Sequence, residues 1–118
     1  MDFISTLVSL LLFDLIWISL VAKQRFDVMI TSIQGSPMKP DMFRVILSYI
    51  VLVMFAYIFI PKMNSYEETF LLGFLTYGIY ETTSYALFDK WDPTVVVLDS
   101  VWGGILLCIV RYFALEKK

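Results

Sequence analysis

Four apolar stretches alternate with short polar ones along the chain, and this alternation predicts a helical membrane protein. The stretches cover 3–22, 42–60, 69–88 and 93–114. Each is close to the roughly 20 residues that an α-helix needs to cross the hydrocarbon core of a bilayer. Four such spans leave only short loops in 118 residues, so the chain reads as a single four-span domain over 1–118. The first stretch competes with a cleaved signal peptide. Asp2 precedes it without any Lys or Arg, Asp14 interrupts it, and Lys23-Gln24-Arg25 stands where small residues would mark cleavage. A retained helix is therefore expected.

The polar intervals carry their own periodicity. In 23–41 the residues Phe26, Met29, Ile30 and Ile33 fall at i, i+3, i+4 and i+7, the spacing of one helical stripe. That fits a short helix lying flat at the membrane interface, or an ordinary loop with chance periodicity. Gly35, Pro37 and Pro40 end any helix there. Asp41 is placed to cap the second span. That span is almost featureless apart from Ser48, Tyr49 and Tyr57, and is expected to face lipid rather than supply chemistry. Pro61 ends it, and Ser65-Tyr66-Glu67-Glu68 has the form of a capping box for the third.

Along the third span Gly73, Tyr77, Glu81 and Ser84 make a polar stripe, with Thr76 and Tyr80 beside it. Gly78 and Thr82 form a small-xxx-small pair on an adjoining face, where a neighbouring backbone could come close. A short turn follows, whose Trp91 suits the headgroup level. Asp92-Pro93 then reads as an N-cap with proline at the first helical position. In the fourth span Asp99, Trp102, Gly103 and Leu106 share a face, and Gly103-Gly104 leaves room for close helix contact.

Composition narrows the class. The chain is 59% hydrophobic and 17% aromatic, with mean hydropathy +0.78, more apolar surface than a soluble domain of this length can hide. A scattered net charge of −2 gives no nucleic-acid footprint. Cys108 is the single cysteine and histidine is absent, which excludes a disulfide frame, a thiolate metal cluster and imidazole chemistry. Lys23, Arg25, Lys39, Arg44 and Lys90 lie on the side of the first and third loops; Lys62, Arg111, Lys117 and Lys118 lie opposite. By a margin of one residue the positive-inside rule favours a cytoplasmic first loop with both termini outside. The expected location is a multi-pass integral one, in the plasma or inner membrane if the chain is bacterial.

Candidate chemistry comes from three acids inside the spans: Asp14, Glu81 and Asp99. Counted from the side of the first and third loops at 1.5 Å per residue, they lie roughly 12, 10 and 9 Å deep. Scattered into lipid, each would cost about 2.5–3.5 kcal/mol; brought together in one polar pocket, most of that cost vanishes. Three carboxylates cannot all be ionised side by side in a low dielectric, so one is protonated or a cation sits among them. Beyond such a cation, no cofactor is expected. Arg111 is about 18 Å from Asp99 along the same helix and is too far to serve, whereas Arg44 and Lys90 could reach down. Trp17, Trp102, Tyr77, Tyr80, Thr83 and Ser84 supply hydrogen-bond donors around the layer.

Two copies of Asp-x-x-Trp, Asp14-Leu15-Ile16-Trp17 and Asp99-Ser100-Val101-Trp102-Gly103, flank Tyr77-Gly78-Ile79-Tyr80-Glu81-Thr82-Thr83. With these elements the chain resembles, over nearly its full length, the small membrane-protein family of unknown function numbered 2177, found mainly in bacteria. The first-span Leu20-Val21-Ala22-Lys23 and the Trp91 and Pro93 before the fourth span belong to the same resemblance. The family usually has Asp where Glu81 stands and Asn where Ser84 stands, so this chain has a longer acid and lacks an amide there. The resemblance implies a four-helix membrane domain and marks the same residues; it implies no activity.

Three functional readings follow. The first is a small transporter or channel-like protein moving protons, cations or a small solute, with the three acids binding or relaying charge. Trp17, Trp102, Tyr77 and Tyr80 would wall its pocket. The second is a non-catalytic scaffold or assembly subunit whose acids fix helix packing. The third is an intramembrane enzyme acting on lipid through carboxylate-held Mg²⁺, disfavoured because the spans hold no basic residue at depth for a phosphate. Thr76-Tyr77-Gly78-Ile79-Tyr80 echoes a potassium filter, but it lies inside a continuous helical pattern and not in an extended loop. One bundle is thin for enclosing a path, so self-association is expected.

Overall fold

A computed structural model of the chain describes residues 1–36 and 41–116. Among these residues the regular structure is all helical: α1 (Phe3–Gln34), α2 (Met42–Lys62), α3 (Tyr66–Leu87) and α4 (Pro93–Glu116). Each start is chemically marked. The side chains of Asp2, Asp41, Ser65 and Asp92 accept hydrogen bonds from the amides of Ser5, Phe43, Glu68 and Thr94, filling orphan donors of the first turn. The helix-breaking roles expected of Pro37 and Pro40, and the charges of Lys39, Lys117 and Lys118, lie outside the described residues.

The largest departure from expectation is in α1, which does not stop at Ala22. No glycine or proline interrupts it before Gly35, whose φ of 76° makes the left-handed turn that ends the helix. Lys23, Gln24 and Arg25 are good helix formers, so the change in composition there marks a change of surroundings, not of backbone. At 1.5 Å per residue its 32 residues span roughly 48 Å, in keeping with the molecule's longest dimension of 47 Å. A hydrocarbon core of about 30 Å cannot contain that length, so the last turns project beyond it. Their stripe of Phe26, Met29, Ile30 and Ile33 does not lie flat on lipid; it packs on Trp91 and Val95. Midway, over Ile18–Ala22, the helix widens into a π turn, and the Lys23 amide reaches back to the Ile18 carbonyl.

Three of the helices, α1, α2 and α4, are long and apolar enough to cross a membrane. By composition α3 falls short of that, in keeping with the polar stripe read along it. Its 22 residues include Glu67, Glu68 and Glu81. Its polar stripe is sheltered instead of lipid-facing: Gly73, Glu81 and Ser84 are buried and Tyr77 is half-buried. The helix runs antiparallel along α4, from the Tyr66 carbonyl beside Cys108 to Glu81 beside Trp91.

The two helices meet at glycines. A Cβ on Gly73 would strike the Gly103 carbonyl, and one on Gly104 would meet the Phe70 ring at 2.5 Å. The adjoining pair expected to make this contact plays a lesser part. Gly78 stands 3.6 Å from Ser100 Oγ, while Thr82 is exposed and donates to its own helix at the Gly78 carbonyl.

An apolar core of Leu10, Val53, Ala56, Leu106, Leu107 and Val110 joins α1, α2 and α4. The Asp2 amide donates to the Ala114 carbonyl at 3.2 Å, and Arg111 Nη1 donates to the Met63 carbonyl. Both chain ends and the α2–α3 turn therefore share one end of the bundle. The extension of α1 and the α3–α4 turn share the other.

Candidate functional site

The polar layer is built at the second end. Glu81, near the end of α3, is wholly buried, and its Oε1 accepts a hydrogen bond from the Trp91 indole at 3.0 Å. Trp91 was expected at the headgroup level. It is only 5% exposed, folded inward from the α3–α4 turn and held between the rings of Phe26 and Phe88. The Asp92 amide donates to Met29 Sδ at 3.2 Å, tying this turn to the α1 extension. Glu81 Oε2 has no donor, and the Asp99 carboxyl of α4 lies against Glu81 within hydrogen-bonding reach.

Asp14 is separately ligated. Its Oδ2 accepts from the Tyr49 hydroxyl at 2.5 Å and its Oδ1 from the Trp102 indole at 3.0 Å. One buried carboxyl thus ties α1 to α2 and α4. Trp17, one turn along from Asp14, stacks on Trp102 with centroids 4.8 Å apart and planes 3° from parallel. The Trp17 Nε1 is buried without a partner.

The structure sets Glu81 and Asp99 in contact and gives Asp14 donors of its own, Tyr49 and Trp102, one on each oxygen. Among the described residues no group of three acids or cysteines is close enough to hold a metal ion. Asp14 and Asp99 nevertheless edge the same cleft, 280 Å³ in volume, with Trp17, Tyr77, Phe26 and Lys23 around them. The π turn of α1 lines it through Ile18 and Ala22, and such turns collect at functional sites. A smaller void of 10 Å³, on the scale of one water, separates Asp99 from Arg25.

The other expected site residues divide. Tyr77 borders the cleft and packs beside Gly103, and Ser84 is buried on the Glu81 face of α3. Tyr80 and Thr83 are exposed on the outer face, one step round the helix from that stripe, so they do not wall the cleft. Neither cation expected to reach the acids does so. Arg44 pairs with Asp41 at 3.7 Å, and Lys90 donates to the Ser32 carbonyl at 3.0 Å. Arg111 is buried at the far end against Glu116, the Met63 carbonyl and Thr69. Among the described residues no Lys or Arg is in ion-pair distance of Asp14, Glu81 or Asp99.

Two participants were not expected from the sequence. Tyr49 comes from the helix read as pure packing, and Trp91 from the loop. A phenol in an oily helix needs a partner when buried, but Tyr57 sends the same signal and lies exposed, edge-on to Phe3.

These features define a class: a small polytopic membrane protein with a carboxyl layer set into its helix bundle. The chain belongs to the family described as "predicted membrane protein (DUF2177)", whose model matches residues 1–115. No curated protein and no solved structure matches it.

Proposed function

We propose that the chain is a small membrane transporter in which the Glu81–Asp99 carboxyl pair takes up and releases a proton or other cation in exchange with a small solute in the cleft. The observation that carries this reading is the contact between two acid side chains that, among the described residues, have no Lys or Arg within ion-pair distance. Two carboxyls in contact at low dielectric avoid mutual repulsion by holding a proton or cation between them. Ionisable groups inside a membrane most often mark proton or ion pathways. Asp99 also borders the cleft, which gives the bound charge a way out. The apolar core toward the chain ends leaves a single chain without an evident path through. Self-association completes the path in this reading, and light scattering in detergent should give a mass of two or more chains.

A division of labour among the acids follows from their partners. Asp14, with both oxygens taken by side chains of two other helices, fits the packing role of the scaffold reading. The Glu81–Asp99 pair fits the transport role. In liposomes carrying an internal pH-sensitive dye, the protein should produce a proton flux that Asp99→Asn abolishes while the helical content and melting temperature stay close to the parent. Absence of flux in the parent, with Asp99→Asn lowering thermal stability, would instead assign all three acids to packing.

A further inference from the structure

Resting on the transport reading, we infer that the cleft takes an organic monocation, an alkyl- or arylammonium with an apolar body, and binds it in exchange for a proton on the Glu81–Asp99 pair. The cleft's chemistry is mixed in a particular way. Its walls are apolar and aromatic, through Trp17, Phe26 and Tyr77, and its edges carry the carboxyls of Asp14 and Asp99. A bare metal ion is badly served there, since divalent hard cations want six or more oxygens and no set of three ligands converges among the described residues. An ammonium carrying hydrocarbon is well served. Its charge faces a carboxylate, and its body lies on aromatic faces that attract cations through their quadrupole.

Further features point to a ligand rather than to packing. Trp17 is locked flat on Trp102, so the ring that borders the cleft is held in position before anything binds. The wholly buried Glu81 keeps one oxygen without a donor, and its carboxyl lies against that of Asp99, which borders the cleft. Lys23 stands exposed at the cleft mouth, and Arg25 lines the neighbouring void while pairing with Asp92 at 4.0 Å. Neither is within ion-pair distance of Asp99. The volume, 280 Å³, sits just under the range of about 300–1,000 Å³ usual for ligand pockets, which sets the size at a small organic ion.

The test is calorimetry on the full chain in detergent with benzyltrimethylammonium, and with neopentylbenzene as its uncharged isostere. The expected result is binding of the cation and not of the isostere. About one proton should be released per cation, read from the heats in buffers of different ionisation enthalpy. Affinity should fall up to about tenfold for each unit the pH is lowered, by linkage to that proton. Asp99→Asn should abolish binding, and Trp17→Leu should weaken it about three- to thirtyfold. Absence of binding overturns the inference, as does equal uptake of the isostere or an affinity unchanged by pH. The last two comparisons need only the parent protein, so they decide the matter even where Asp99→Asn does not fold. A proton flux in liposomes that Asp99→Asn abolishes, without ammonium binding, would overturn this inference and leave the transport reading standing.

Discussion

Asp14 shows how one residue's partners decide its role. A carboxyl at that depth is costly wherever it is placed, and here the cost is offset by a phenol from α2 and an indole from α4. Interhelical hydrogen bonds in membranes average about 0.6 kcal/mol and reach about 1.7, and a carboxyl acceptor lies toward the upper end. Tyr49→Phe is therefore expected to lower stability by about 1 kcal/mol, measured by unfolding in mixed micelles, with the liposome proton flux retained. Trp91 is the counterpart at Glu81. Trp91→Phe keeps an aromatic ring against Phe26 and Phe88 but removes the donor to Glu81 Oε1. Leaving a buried acceptor without its partner costs about 1–3 kcal/mol, and this variant should also change the flux, because it alters the carboxyl pair itself.

At the scale of elements, the α3–α4 hairpin is the rigid frame and α1 is the member that closes the site. The hairpin depends on the approach of Gly73 to Gly103, where a single methyl would collide with backbone and not with a flexible side chain. Overpacking of this kind costs about 1–3 kcal/mol. Gly73→Ala should lower the melting temperature and loosen the hairpin, whereas Gly78→Ala, which meets only Ser100 Oγ at 3.6 Å, should be nearly neutral. Measuring the two variants side by side tests whether the seam lies where the backbones meet. The α1 extension acts differently. Its Met29 is 4% exposed against Trp91, so its turns hold in place the indole that donates to Glu81.

For the molecule as a whole, the hydrogen bond from the Asp2 amide to the Ala114 carbonyl fixes a topological consequence. Asp2 and Ala114 lie together, which predicts that both ends emerge on the same face of the membrane and that the number of crossings is even. Protease sites appended to both ends of the chain in sealed vesicles should be cut together or protected together. Cleavage of one end alone would mean that α3 does not cross with α4. The outer surface agrees with a lipid setting, since Leu20, Leu87 and Met42 are each at least 70% exposed.

Much of this was legible in the chain because it depends on local chemistry. Apolar length announces membrane spans, and the N-caps Asp41, Ser65 and Asp92 stand in the sequence; the fourth, Asp2, is seen only in the structure. The Gly73, Tyr77, Glu81, Ser84 stripe could be read as a buried face from helical spacing alone. The extent of α1 was not legible in the same way, because a fall in hydropathy at Lys23 looks like the end of a helix when it is only the end of the lipid. Which acids meet was decided only by tertiary structure. Asp14, Glu81 and Asp99 count to similar depths from the sequence, but a counted depth does not say whose hydroxyl or indole reaches each carboxyl first. Tyr49 and Trp102 claim Asp14, Trp91 claims one oxygen of Glu81, and Asp99 is left at the edge of the cleft. Those pairings join residues 35, 88 and 10 positions apart, two of them far beyond the reach of any periodicity, and they exist only once the helices have packed.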